Sequence, residues 1–178
     1  MLVNEPLKEQ KIALKRYLGK YYRARNKKAI LINRRESLKN EIEMPISGIK
    51  YCQIPRSITN SISDGAASIP LIISEIESRI KEQTDNMAIA MLNIMDIMEL
   101  LPEDSMEREI MEYRHIDCMP WKIICDAAHM ARSSCNEYYN KGLELLLKNP
   151  NIIIKLEEFI KEESQIHCEE NSGHNRTS

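Results

Sequence analysis

From Leu7 to Ile42 the apolar residues Leu14, Leu18, Tyr21, Ile32, Leu38 and Ile42 recur at helical intervals, interleaved with Lys15, Arg16, Lys20, Arg23, Arg25, Lys27, Lys28, Arg34 and Arg35. This pattern predicts one long basic amphipathic helix within residues 1–44, weakened but not stopped at Gly19 and ended by Met44-Pro45. Residues 45–67, with Pro45, Gly48, Pro55, Gly65 and many Ser, Thr and Asn, read as a linker without regular structure. A second apolar stripe, Ile72, Ile76, Ile80, Met87, Met91, Ile94, Met98 and Leu101, predicts another long helix over 68–101 with Pro70 in its first turn. Together the two long helices form a hairpin arm. Methionines 87, 91, 95 and 98 suit adaptable core packing, the commoner use, or an adaptable binding groove.

The pattern changes after Leu101. The run LLPEDSMERE combines a stop, a proline corner and a new start, with Asp104 or Ser105 as cap and Glu107 and Glu109 at the positive helix end. That helix ends near Ile116, where a tight corner at Asp117-Cys118 precedes Pro120, which lacks an amide donor and suits a helix opening. A further helix starts at Trp121, breaks around His129-Met130, and gives way to a third from Ala131 to Leu147. The predicted result is three short helices and two corners within a domain spanning 102–149. A last helix over 150–164 carries Ile152, Ile153, Leu156, Phe159 and Ile160 on one face, and 165–178 reads as a disordered tail.

Composition supports the all-α assignment: the 178 residues hold five glycines, seven prolines and one Phe, too few turn and aromatic residues for an extensive sheet. No apolar run approaches the roughly 20 residues of a membrane span, and the charged N-terminus is unlike a signal peptide. A cytoplasmic protein without a membrane partner is expected. Five irregularly spaced cysteines argue for reduced, packed thiols.

The net charge of −2 conceals an asymmetry: residues 1–50 hold thirteen Lys/Arg against five Asp/Glu, and residues 51–104 hold three against nine. Either the two stretches neutralise one another, or the basic one faces phosphates.

Two helices joined by a corner, with the second displayed, is how an α-helix enters the major groove of DNA. Ile123, Ile124, Ala127 and Ala128 are expected to pack the first helix of this pair, and Cys135, Tyr138, Gly142 and Leu143 the second. The remaining face carries Arg132, Ser133, Asn136, Glu137, Asn140 and Lys141, all able to bond base edges or phosphates.

The segment EREIMEYRHIDCMPWKIICDAAHMARSSCNEYYNKGLELLL resembles region 4 of the σ70-type factors. It resembles still more the σ-like C-terminal domain of phage and prophage transcription regulators of the RinA/ArpU type. The shared features are Tyr113-Arg114-His115-Ile116, Trp121, Ile124-Cys125, His129-Met130, Ala131-Arg132 and Gly142-Leu143, in register over about 40 residues. Upstream, Lys20-Tyr21-Tyr22, Pro55-Arg56-Ser57 and Asp64 are similarly arranged.

The resemblance implies a helix-turn-helix domain in which Arg132, Ser133, Asn136 and Glu137 read bases while Lys141 and Lys122 lie nearer phosphates. Departures from the pattern are Ala131 at the usual Ser or Thr cap, Cys125 and Gly142 at alanine positions, and only Arg132 and Lys141 as cations on the recognition helix. A missing cap costs about 1 kcal/mol.

The expected function is a sequence-specific regulator of phage late genes. Its expected partners are double-stranded DNA, RNA polymerase, and a second copy held through the long helices. The alternative is an oligomeric scaffold resembling a small terminase subunit, or a polymerase adaptor that reads no promoter alone.

Each site residue also has a plainer reading. Arg132 pairs with Glu137 or Asp126 at the surface, and Trp121 anchors the corner against Tyr113. His115, Cys118, Cys125 and His129 match no familiar zinc spacing, so no metal or other cofactor is expected. With no phosphate loop, no HExxH motif and no nucleophile beside a base, no catalytic residues are assigned and an enzyme is not expected.

Overall fold

A computed structural model of the chain describes residues 5–43 and 68–173, with side-chain surroundings for 8–40 and 68–165. The described residues are all-α: α1 (Glu5–Leu18), α2 (Lys20–Glu43), α3 (Ser68–Met98), α4 (Met106–His115), α5 (Trp121–Ala127), α6 (Arg132–Leu147) and α7 (Pro150–Gly173). The expected linker 45–67, with Cys52, Pro55-Arg56-Ser57 and Asp64, lies outside the described residues, as do 174–178. No helix among the described residues is long and apolar enough to cross a membrane.

Two compact units are present, residues 1–22 with 89–178 and residues 23–88. This division departs from the expected arm and C-terminal domain, because α1 packs on α6 and α7. Leu14 and Leu18 are fully buried in one core with Ile94, Ile97 and Met98 of α3, Ile110 and Met111 of α4, Ile124 of α5, Leu143 and Leu146 of α6, and Ile152 of α7. The expected continuous first helix is interrupted at Gly19, although the Gly19 N–H still donates to Lys15 O at 3.1 Å. Glycine weakens a helix by about 1 kcal/mol relative to alanine, so a chain that must break a helical run does so there.

Polar contacts on both sides of the break hold α1 and the start of α2 to α7. Tyr17 meets Phe159 edge-to-face at 5.4 Å, Lys20 Nζ sits 4.4 Å above the Phe159 ring, and Arg16 pairs with Glu163 at 2.6 Å.

The amphipathic character expected over 7–42 resides in α1. In α2 the residues Ala29, Ile30, Leu31 and Ile32 are consecutive and therefore point around the whole helix. In the second unit α2 and α3 run antiparallel. Lys39 pairs with Glu77 at 3.6 Å, while Lys27, Ile30, Leu31 and Arg34 line an open groove of about 450 Å³ with Arg79, Glu82 and Gln83.

The last helix corrects the expected disordered tail, since α7 continues to Gly173. Pro150 occupies its first turn, and the Asn149 side chain accepts from the Asn151 N–H at 3.0 Å.

Candidate nucleic-acid interface

The site begins at Ser105, whose hydroxyl accepts from the Arg108 N–H at 3.2 Å and donates to Pro102 O at 2.8 Å, so α4 starts where the sequence indicated. At its other end the Met119 N–H donates to Tyr113 O at 2.9 Å, and Cys118 takes the left-handed conformation with φ 58°. Arg114 clamps this corner by donating to Met119 O at 3.0 Å. Pro120 then caps α5 one residue before the first helical position, with Trp121 opening the helix.

The second corner repeats the device. His129 has φ 51°, and the Met130 N–H reaches back to Cys125 O at 3.0 Å. Ala131 precedes α6 without a side-chain cap. These are the two positive-φ non-glycine residues among the described residues, and they bracket α5.

Packing within this motif partly overturns the expected facing of its helices. Ile124 is fully buried, but Ile123 is 47% exposed and Ala127 is exposed, because the seven-residue α5 has room for only a narrow buried face. On α6 Cys135, Gly142 and Leu143 are buried as expected, whereas Tyr139, not the half-buried Tyr138, is the interior tyrosine.

Tyr139 gathers the motif. Its hydroxyl lies 3.0 Å from His115 Nε2, its ring meets Trp121 edge-to-face at 5.3 Å, and Lys15 Nζ lies 5.5 Å from its centroid. Burial pushes the Tyr139 phenol up to about 12. Trp121 is therefore anchored by Tyr139 and not by Tyr113, whose hydroxyl instead donates to Glu109 at 2.9 Å.

His115 sits inside the core on α4. Burial, then the neighbouring Arg114 charge, lower its pKa to about 4, while a hydrogen bond to the Leu18 backbone opposes them and the Lys15 charge adds to the fall. The ring is neutral near pH 7. With one nitrogen donating to the Leu18 carbonyl, Nε2 is left to accept from the Tyr139 hydroxyl.

The residues expected to touch DNA fall into two groups. Arg132, Ser133, Asn136, Glu137 and Asn140 lie along one side of α6, exposed except for the half-buried Asn136, and Lys122 is exposed on α5. Among the described residues, Lys122, Ser133, Asn136, Glu137 and Asn140 make no hydrogen bond or ion pair with another side chain.

The two cations of α6 are occupied. The Arg132 guanidinium lies 3.8 Å above the Trp121 ring, with Arg114 at 5.4 Å from the same ring, in place of a pair with Glu137 or Asp126. Lys141 Nζ meets Glu107 at 2.5 Å, and Glu107 is buried although its partner is largely exposed. The hydrogen bond from Lys141 holds the Glu107 carboxyl below its usual pKa against an opposing contribution from burial. Lys141 thus joins α6 to α4, a role the helix pattern did not reveal.

Among the described residues no three His, Cys, Asp or Glu side chains gather as a metal site. His115 turns into the core, while His129 is exposed at its corner. Burial and the neighbouring Cys125 push the Cys135 thiol pKa up, so it is held as a packed thiol.

Trp121 to Leu147 carries Lys122, Arg132 and Lys141 against Asp126, Glu137 and Glu144, so the corner has no net charge. No protein-family model, curated protein or solved structure matches the chain.

Proposed function

We propose that this chain is a DNA-binding transcriptional regulator of the σ-like phage type, with α6 as the helix that reads base edges. One observation carries the reading: α5 is bracketed by two left-handed corners, Cys118 and His129, after which α6 displays a polar side of Arg132, Ser133, Asn136, Glu137 and Asn140. Ala127 and Ala131 at the second corner leave room for close approach to a duplex, and Lys122 on α5 provides a phosphate contact.

Arg132 has a double role in this reading. Free, it rests on Trp121; bound, it swings to guanine, where two hydrogen bonds contribute about 1–3 kcal/mol of discrimination.

The arm supports self-association. In the second unit Leu71 is 64% and Ile30 50% exposed, and the other apolar residues of α3 up to Met87 are only half-buried. Such faces fit a second copy of the same hairpin in a homodimer.

An RNA polymerase adaptor is the second reading, favoured by the neutral corner and the engagement of both α6 cations. Footprinting on DNA flanking the chain's own gene separates the two. The regulator protects a discrete site and loses that site preference in Arg132→Ala; the adaptor protects nothing alone but is retained by immobilised RNA polymerase.

A further inference from the structure

We infer that α2 is the main phosphate-binding surface of the protein, a tether for duplex DNA independent of sequence, and that the helix-turn-helix supplies little of the salt-dependent affinity. The inference deepens the regulator reading and rests on it. It begins with charge. Lys20–Glu43 carries eight Lys/Arg against three Glu, whereas Trp121–Leu147 carries three of each.

Availability matters more than number. Arg25, Lys27 and Arg34 are exposed and Lys28 is half-exposed, and among the described residues none of the four has a carboxylate partner. By contrast Arg35 is turned onto Glu36 and Lys39 onto Glu77, while on the corner Arg132 covers Trp121 and Lys141 is tied to Glu107. Glu82 of α3 lines the groove beside Lys27 and Arg34 but pairs with neither, so α3 neutralises α2 only in part.

The free cations also have a usable geometry. Arg25 and Lys28 are one turn apart on one side of α2 and Lys27 and Arg34 two turns apart on the opposite side, and together the four flank about 14 Å of helix at 1.5 Å per residue. A duplex whose major groove takes α2 lengthwise presents a phosphate strand along each flank, so both pairs are met.

A lipid surface fits less well. Interfacial helices need one broad apolar face, and the apolar residues 29–32 encircle α2.

Anisotropy of a labelled duplex of arbitrary sequence, titrated with the full chain between about 50 and 200 mM salt, tests the inference. The wild type should bind with a steep salt dependence. The variant Arg25→Gln/Lys27→Gln/Lys28→Gln/Arg34→Gln, with its helicity checked, should flatten the log–log slope by about 3–4 and weaken low-salt binding on the order of 100-fold. Arg25→Lys/Arg34→Lys should retain the wild-type slope.

An unchanged slope in the glutamine variant overturns the inference while leaving the regulator reading intact. Tight binding lost in that variant, with no preferred site in genomic footprints, overturns the regulator reading and leaves the tether. No binding of the wild type to any duplex at low salt, or binding only to anionic vesicles, overturns both.

Discussion

Tyr139 Oη lies 3.0 Å from His115 Nε2 in the interior of the first unit, and this pair joins α6 to α4. Tyr139→Phe keeps the ring against Trp121 but leaves the buried imidazole acceptor unmatched, which costs about 1–2 kcal/mol in a urea titration at neutral pH. Tyr138→Phe, on the half-buried neighbour, should change stability by less than about 0.5 kcal/mol. Equal losses in the two variants would remove Tyr139 from its central place.

The same histidine sets an acid limit. Its folded pKa of about 4 lies below the ordinary value of 6.5, so below pH 6.5 the unfolded chain takes up a proton that the folded chain refuses. Stability therefore rises with pH across this interval, and acidification from 6.5 to 4 removes on the order of 3 kcal/mol through this group. Denaturation midpoints measured across the interval should slope downward toward acid, and His115→Gln should flatten that slope whatever its effect at neutral pH.

Gly142 lies where α6 packs tightly against Glu107 and Met111 of α4. A Cβ there would lie 2.6 Å from Met111 Sδ, and Met111 is fully buried. Gly142→Ala gains about 1 kcal/mol of helix propensity but meets an overpacking penalty of about 1–3 kcal/mol. Because Met111 has no solvent to turn into, the penalty wins and the variant unfolds at lower urea. Shortening Met111 to Val should recover part of the loss, giving a favourable coupling in a double-mutant cycle.

What the sequence disclosed and what it hid divide along physical lines. Ser105, Pro120 and the breaks at Cys118 and His129 were legible because a cap, a missing amide and a corner are local properties of a few adjacent residues. Tyr139 was missed in favour of Tyr138 because neighbours on a helix differ by only 100°, and the deciding partners, His115 and Trp121, are remote in sequence. Lys141–Glu107 was hidden for the same reason. The split of the first helix at Gly19 was underestimated, since the packing of α1 on α6 and α7 rests on partners remote in sequence, and the first unit runs past the break to Tyr22. Polarity after Ser164 suggested disorder, yet Gln165, Glu169 and Glu170 are good helix formers, and α7 continues.

The Glu107–Lys141 pair should be asymmetric under substitution. Lys141→Met strands a buried carboxylate, which costs about 1–3 kcal/mol, whereas Glu107→Leu/Lys141→Met replaces the pair by apolar volume and should lie near wild type. Since Lys141 holds the Glu107 pKa below 4.5, the pair's stabilisation is present above that pH and is lost as pH falls through the folded pKa. Thermal melts of the single and double variants near neutral pH and near pH 4 decide this. A double variant as unstable as Lys141→Met alone would mean the loss comes from the lysine stem and not from the stranded charge.

Trp121 is the single tryptophan of the chain and lies beneath the Arg132 guanidinium at 3.8 Å, so its fluorescence reports on the residue proposed to reach DNA. Arg132→Ala uncovers one indole face; the emission should move to longer wavelength and stability should fall by about 0.5–1 kcal/mol, the worth of an exposed cation–π contact. If Arg132 leaves the ring to bond guanine, adding a cognate duplex to the wild type should shift the emission in the same direction, while Arg132→Ala should respond little. Emission unchanged on saturation with DNA would mean that Arg132 stays on Trp121 in the complex, and base reading would then fall to Ser133, Asn136 and Asn140.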